Sequence, residues 1–424
     1  MRVIADFHIH SKYSRGTSKN LDLKSIEYYA HLKGLNLMGT GDSTHPIWLN
    51  TLKKELREVN DGIYIRKDKK HDVFFMITTE INISFEYQGK SKRIHHLLLF
   101  PSIEVAEEFN NYFSKSFDLS SDGRPTFRMT AKEFVERTIK DINEEIIIIP
   151  AHVWTPWFSL FGSKSGFDSI DECYGDAVKY IYALETGLSS DPLMNWMVSR
   201  LDEFILVSNS DSHSYWPYRI GREANIFYLD TLSYKEIYKI LKERKKEKIE
   251  TIEVEPSYGK YHYDGHRKCE IWLHPRDSIK LGNICPVCGK KLTLGVLHRV
   301  YDLADREEGF KPEDAQNFYY TLPLQEIISL YLNKDPLSKE VWDLYTKFVN
   351  KFGNELNILI FEDINEIKEY YKELGDIIEK IRSNTLKIRP GYDGVYGKII
   401  LNESESIEPK FEIKQRSLHE FFKP

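Results

Sequence analysis

Nearly every short apolar run in the first half of this chain ends on a residue that can hold a metal ion. The runs over 2–7, 35–40, 73–79, 94–100, 145–150, 180–184 and 204–208 have the length and composition of strands. Amphipathic segments lie between them, such as 21–33, closed by Gly34, and 130–142, opened by Thr130 with Glu133 three residues on. Alternating strands and helices predict an α/β fold with parallel strands, and seven strands approach the number of a barrel. His8 and His10 follow the first run, Asp42 and His45 the second, Glu80 the third, His152 the fifth, Glu185 the sixth, and Asp211 and His213 the seventh. His95 and His96 fall instead at the start or middle of the fourth. The C-terminal ends of barrel strands meet at one mouth, so these side chains are expected to converge there. A site for several divalent ions needs neutral imidazoles and bridging carboxylates on rigid elements. Taken singly, a histidine at a strand end is more often a hydrogen-bonded core residue or a surface residue, so the repetition carries the argument. His8 and His10 share one face of an extended chain, and Asp211 and His213 repeat that spacing.

The segments Asp6-Phe7-His8-Ile9-His10-Ser11, Thr79-Glu80, His96 before Leu97-Leu98-Leu99, Ala151-His152 and Ser210-Asp211-Ser212-His213 resemble the motifs of the PHP (polymerase and histidinol phosphatase) superfamily over roughly residues 1–230. The resemblance implies a distorted seven-stranded β/α barrel with a two- or three-metal site (Zn2+, Mg2+ or Mn2+) that cleaves phosphate esters. It carries over His8, His10, Glu80, His96, His152, Asp211 and His213 as ligands. Two departures matter. Where the family commonly has Thr-Asp-His-Gly, this chain has Thr40-Gly41-Asp42-Ser43-Thr44-His45, so Asp42, or with less support His45, stands for the usual histidine. Ser14-Arg15-Gly16-Thr17 supplies no further ligand after the first pair, which leaves one metal more weakly held or Arg15 gripping phosphate. Glu185 matches a variable position and is read as a ligand, with a structural acid as the alternative. Asp42 and Glu185 thus join the other seven in the expected catalytic cluster.

Downstream, His266-Arg267-Lys268-Cys269 and Cys285-Pro286-Val287-Cys288-Gly289 form a knuckle pair, the arrangement of a structural Zn2+ site. The fourth ligand is His266, whose spacing mirrors Cys-x-x-Cys, or His274. Three of only four cysteines cluster here, which speaks against a disulfide framework, and no thioredoxin-like context supports a redox pair. Between 256 and 300, eight Lys or Arg stand against three acids, although the whole chain has a net charge of −6. Tyr258, Tyr261, Tyr263 and Trp272 are interleaved with them, which suits DNA backbone neutralisation and base stacking rather than an ordinary solvated face. The expected DNA contacts are Lys260, Arg267, Lys268 and Arg299, with Arg15, Lys90 and Arg93 from the barrel. Trp154, Trp157, Phe158, Tyr215, Trp216 and Tyr218 follow ligand-bearing strands and are candidate walls of a base pocket, with packing as the alternative.

The 424 residues divide into an expected barrel (1–250), a zinc-binding domain (251–310), a mainly helical DNA-binding region (311–405) and a tail (406–424). No run approaches the roughly 18 apolar residues of a membrane span, and residues 1–6 lead straight into polar sequence, so a cytoplasmic monomer is expected. In the tail, Gln415-Arg416-Ser417-Leu418-His419-Glu420-Phe421-Phe422 matches the PIP box that docks on the PCNA sliding clamp. One helical turn there sets Leu418, Phe421 and Phe422 on one apolar side, with Gln415 for polar contacts. Barrel, knuckle, the glycine-rich segment 388–397 and the tail together resemble the archaeal endonuclease Q family across essentially the full chain. Residues 259–267 and 295–300 carry most of that closer match. This implies a DNA repair endonuclease cutting 5′ to deaminated bases (uracil, hypoxanthine, xanthine) and at abasic sites. Two rivals are a small-molecule phosphatase, for which the barrel alone suffices, and a non-catalytic clamp-recruited DNA-binding module, which a full ligand set opposes.

Overall fold

The computed structural model describes residues 1–401. Strand β1 (Arg2–Asp6) pairs in parallel with β2 (Leu37–Gly39), which pairs in parallel with the start of β3 (Phe74–Tyr87). Helix Leu23–Lys33 makes the first crossover. Asp22 and Ser25 cap its start reciprocally, and Gly34 ends it at φ 99°. Strand β3 turns back through Gln88 and Gly89, both left-handed, into the antiparallel β4 (Lys90–Phe100). Antiparallel pairing with β4 then sets β5 (Ile147–Pro150) in the direction of β1 again, while β6 (Ala183–Glu185) and β7 (Ile205–Val207) pair in parallel.

Two expectations are corrected here. The fourth strand is antiparallel, and no closed barrel forms among the described residues. Only the bridge Ile148–Ile181 joins β5 to the chain entering β6, and only Ile9–Ser212 joins the chain beyond β1 to that beyond β7. Side chains replace the ladder at that second seam. Asn209 Oδ1 accepts from Phe7 N at 2.8 Å, Asp6 Oδ1 from Ser210 N at 3.1 Å, and Asn225 Oδ1 from Ser208 N at 2.9 Å. Buried amides and a carboxylate thus satisfy backbone donors that a closed ladder would have paired.

The sheet instead extends outward from β1 through β8 (Ala224–Tyr228), β9 (Ile249–Glu253) and β10 (Phe318–Tyr320). A boundary at 250 therefore cuts a strand, and residues beyond 310 return to the same sheet. Alternate residues fill two apolar cores, one with Val3, Ala5, Leu97, Ile149 and Val207, the other with Ile4, Leu98, Ile148 and Leu206. The strands are buried on both faces, which explains their near-continuous apolar sequence.

The knuckle hairpin, Asp264–His266 with Ile271–Leu273, has a small core of Ile271, Leu273, Cys285 and Leu292. The glycine-rich segment packs against it: a Cβ on Gly391 would lie 1.8 Å from Gly259 O, so only glycine permits this approach. Helices Leu324–Leu332, Lys339–Phe352, Ile364–Tyr370 and Lys372–Arg382 enclose a separate core around Ile328, Tyr345, Phe348 and Ile378. Lys33 of the first helix is buried against this region, donating to Glu355 Oε1 at 2.6 Å and Pro217 O at 2.8 Å. No helix among the described residues is long and apolar enough to cross a membrane. The expected clamp-binding residues Gln415, Leu418, Phe421 and Phe422 lie outside the described residues.

Candidate metal centre

The chain leaves β1, β3, β5 and β7 at one end, and Glu80, still within β3, is where their side chains meet. Its Oε2 lies 3.5 Å from His8 Nε2 and 3.3 Å from His10 Nε2, and its Oε1 lies 2.6 Å from His95 Nδ1 and 3.2 Å from His152 Nε2. Asp211 Oδ1 approaches the two histidines from the other side, at 3.6 Å and 3.1 Å. Two groups result, His8, His10, Glu80 and Asp211, and Glu80, His95 and His152; the ligand atoms of each lie within 4.8 Å of one another. Glu80 belongs to both, as a carboxylate bridging two ions would.

The electrostatics suit added positive charge. Burial pushes the His8 and His10 imidazoles down, but the acids around them hold both well above the ordinary range. Burial raises the Glu80 carboxyl, yet His95, Arg124 and His8 hold it well below that of a free carboxylate. His8 Nε2 is buried, faces Glu80 and Asp211, and has no hydrogen-bond partner. An imidazole nitrogen directed between two carboxylates fits a divalent cation.

Asp42 and Glu185 stand behind the histidines. Asp42 Oδ1 meets His10 Nδ1 at 3.0 Å and takes Ser14 Oγ at 2.8 Å, while its Oδ2 accepts from Ser11 N and Oγ, each at 2.7 Å. Both Glu185 oxygens lie 3.0 Å from His8 Nδ1, and they also accept from His152 N at 2.8 Å and Asn209 Nδ2 at 2.9 Å. Each acid thus meets the Nδ1 of a histidine, an arrangement that fixes the tautomer and leaves Nε2 for a metal, and neither belongs to the two groups. His213 covers His10, ring centres 4.5 Å apart, with Nδ1 on Asp211 O. His45 turns to Ser120 O and stacks on Tyr13.

His96 is carried to the opposite face of β4. Its Nε2 bonds Tyr174 OH at 2.7 Å, it packs against Phe134, and burial lowers its pKa to about 3. His95 takes its place in the cluster, because alternate residues of a strand face opposite ways. Arg124 had no sequence signal: its Nη1 donates to Glu80 Oε2 at 3.0 Å.

An open cleft of about 490 Å³ leads to these groups, lined by Arg15, Asn82, His95, Arg124, His152, Trp157, Phe158 and Asp211, among others. Of the expected pocket walls, Trp157 and Phe158 line it. Trp154 is buried and donates to Asn195 Oδ1, Tyr215 stacks on Tyr29, Trp216 packs edge-on to Trp342, and Tyr218 lies under Arg219; these four do not line this cleft. Of the expected DNA contacts, Arg15, Lys90, Arg93, Lys260, Arg267 and Lys268 are exposed. Arg299 is only partly exposed and donates to Phe161 O, Phe167 O and Asp168 Oδ1, bolting the loop that carries Trp157 to the knuckle region. Tyr261 adds an edge-on contact to Trp157, ring centres 5.8 Å apart.

The third group is His266, Cys269, Cys285 and Cys288, again within 4.8 Å. Three sulfurs and one nitrogen on a hairpin with so small a core fit structural Zn2+. His274 turns away to Glu308.

Similarity to known proteins is extensive. A family described as the MJ0043 C-terminal domain matches residues 323–385. An uncharacterised protein of Methanocaldococcus jannaschii, MJ0043, is 36% identical over 251 residues, 58% of this chain and 31% of that protein. The chain thus spans under a third of that relative. The uncharacterised YqxK of Bacillus subtilis is 28% identical over 94% of this chain and 99% of its own. Among solved structures, the lesion-specific endonuclease PfuEndoQ of Pyrococcus furiosus is 35% identical, with a TM-score of 0.85 over 99% of this chain and 98% of its own. An endonuclease Q bound to a 27-mer duplex with an abasic lesion at its active site is 35% identical, with a TM-score of 0.82 over 98% and 100%.

Proposed function

The chain belongs to the endonuclease Q family, and from that premise we propose that it is a metal-dependent endonuclease hydrolysing DNA 5′ to deaminated bases (uracil, hypoxanthine, xanthine) and at abasic sites. The observation that carries this reading is Glu80 bridging two ligand groups at the floor of an open cleft with cationic and aromatic walls. Its relatives, one a lesion-specific endonuclease and one bound to an abasic duplex, support the substrate class.

Water attacks the phosphorus in line, the P–O3′ bond breaks, and 3′-hydroxyl and 5′-phosphate ends result. Two or three divalent ions bound in the cluster would lower the pKa of the attacking water and neutralise charge on the departing oxygen. His8, His10, Glu80, Asp211, His95 and His152 would hold them, with Asp42 and Glu185 fixing the imidazoles of His10 and His8. A damaged base leaves its stack most cheaply where pairing is already weak, and Trp157 and Phe158 offer faces for it. Zn2+ held by His266, Cys269, Cys285 and Cys288 would brace the knuckle, and the exposed basic residues and the helical region from 311 would carry the duplex. The tail motif would recruit the protein, as a cytoplasmic monomer, to PCNA.

Incubating metal-loaded protein with uracil-containing duplex, abasic duplex and histidinol phosphate tests this. Nicking 5′ to the lesion is expected; phosphate release alone means a phosphatase, and binding with neither means a non-catalytic module. Deleting 412–424 should leave cleavage intact and remove stimulation by a sliding clamp; a truncated enzyme that is still stimulated refutes the recruitment.

A further inference from the structure

Among the described residues, Arg124 is the one lysine or arginine that both touches the candidate metal cluster and lines the cleft. Resting on the endonuclease reading above, we propose that Arg124 is a catalytic residue that binds a non-bridging oxygen of the scissile phosphate while Glu80 holds its other side. The argument begins with its backbone. Gly123 is pressed so closely on Asp42 that a Cβ would lie 2.4 Å from Oδ2, and Gly123 N donates to Tyr13 O. On the far side, Pro125 O accepts from Asn82 N, and Thr126–Phe127 pairs with Asn82 and Ile83 of β3. The short segment is therefore pinned between the loop after β1 and the strand that carries Glu80.

The side chain is pinned as well. Nη1 donates to Glu80 Oε2 at 3.0 Å, and among the described residues the remaining guanidinium donors meet no protein acceptor. A quarter of the side chain is exposed, towards the cleft. A guanidinium has a rigid fork of donors, so one edge can be fixed by a carboxylate while the other meets a phosphate oxygen. Arg15, the other arginine of the cleft, is far more exposed and holds Asp122 at 3.4 Å, so it lacks this fixed aim. A preorganised cation beside the bridging carboxylate counters charge that grows on the phosphoryl oxygens during attack.

The test separates the residue from the general affinity of a basic surface. Chelator-treated protein is titrated with a lesion duplex bearing either an ordinary phosphate or a neutral methylphosphonate at the single linkage 5′ to the lesion. Wild type should bind the phosphate duplex about 10- to 100-fold more tightly, the range for a hydrogen bond to a charged group. Arg124→Ala should lose that preference and bind both duplexes as wild type binds the methylphosphonate. Arg124→Lys, which keeps the charge without the fork, should retain part of the preference and cleave more slowly once metal is added. Equal weakening of Arg124→Ala on both duplexes overturns the proposal, as does an Arg124→Lys that cleaves like wild type. Wild type that nicks neither duplex when loaded with metal fails the endonuclease reading itself, a different result.

Discussion

Replacing Glu185 by glutamine separates an orienting acid from a ligand. The carboxylate receives three donors: His8 Nδ1, 3.0 Å from both oxygens, His152 N–H at 2.8 Å on Oε2, and Asn209 Nδ2 at 2.9 Å on Oε1. Asn209 cannot turn over to accommodate an amide, because its Oδ1 already accepts from Phe7 N and Asn225 Nδ2. A glutamine must therefore oppose its NH2 to one buried donor, at a cost of about 1–3 kcal/mol in folding stability. If that NH2 donates to His8 Nδ1, the ring proton moves to Nε2, the nitrogen that faces Glu80 and Asp211. Metal affinity should then fall about 10- to 100-fold, the usual cost of losing an orienting partner, or roughly 1.4–2.7 kcal/mol. Competition between the protein and a chromophoric chelator for Mn2+ or Zn2+ measures this, with urea unfolding in EDTA giving the stability term separately. His8→Ala, which deletes a ligand atom, should lose far more. Equal losses in Glu185→Gln and His8→Ala would mean that Glu185 coordinates the ion itself, and a change under about threefold would mean that His8 needs no orienting acid.

Three further outcomes follow from the same geometry. His95→Ala should lose one metal equivalent by chelator competition, whereas His96→Phe should keep full stoichiometry; the reverse pattern would contradict the facing of β4. Arg299→Ala frees the loop that carries Trp157, so KM for lesion duplex should rise several-fold with kcat little changed, and limited proteolysis should newly cut within 155–168. His262 is buried and its pKa is lowered to about 3 by burial and by His274. Because the folded value lies below the unfolded one, its contribution is intact above about pH 6.5 and is lost as pH falls from there towards 3. Between pH 7 and 5 wild type should therefore lose about 2 kcal/mol more than His262→Gln, measured by urea unfolding, and parallel stability curves would refute the assignment.

The ligand-bearing strand ends were legible because parallel strands deliver their C-terminal ends to one edge, so spacing along the chain becomes proximity. The facing of 94–100 was not. Leu97 and Leu99 enter one core and Ile94 and Leu98 the other, so apolar residues flank both histidines on both faces and period-two reasoning has nothing to hold. The proposed division between ligands and orienting acids was equally hidden, since it depends on which imidazole nitrogen a carboxylate meets. The hairpin of β3 and β4 turns on Gln88-Gly89, which lacks the usual Asn-Gly or Asp-Gly signal. Arg124 sits before a two-residue strand, too short to show any period. Arg299 looked like one more member of a basic surface, and only the backbone oxygens around it reveal a brace.

Backbone strain ties the site to the fold that carries it. Asp42, His152 and Asp211 adopt φ of 49°, 34° and 45°, left-handed values that L residues rarely accept, and each lies just beyond a strand of the site. A glycine would relieve each position but would supply no carboxylate or imidazole. Such conformations cost of order 1–3 kcal/mol apiece and persist only where the surroundings over-determine them. Here they do. Gly41 precedes Asp42 and is itself at φ 59°, Gly123 clears space for its carboxylate, and a Cβ on Gly187 would lie 2.5 Å from the Cβ of His152. The glycines around the cluster thus make room for strained acids and a strained imidazole rather than for mobile loops. A sheet buried on both faces supplies the stability that offsets them.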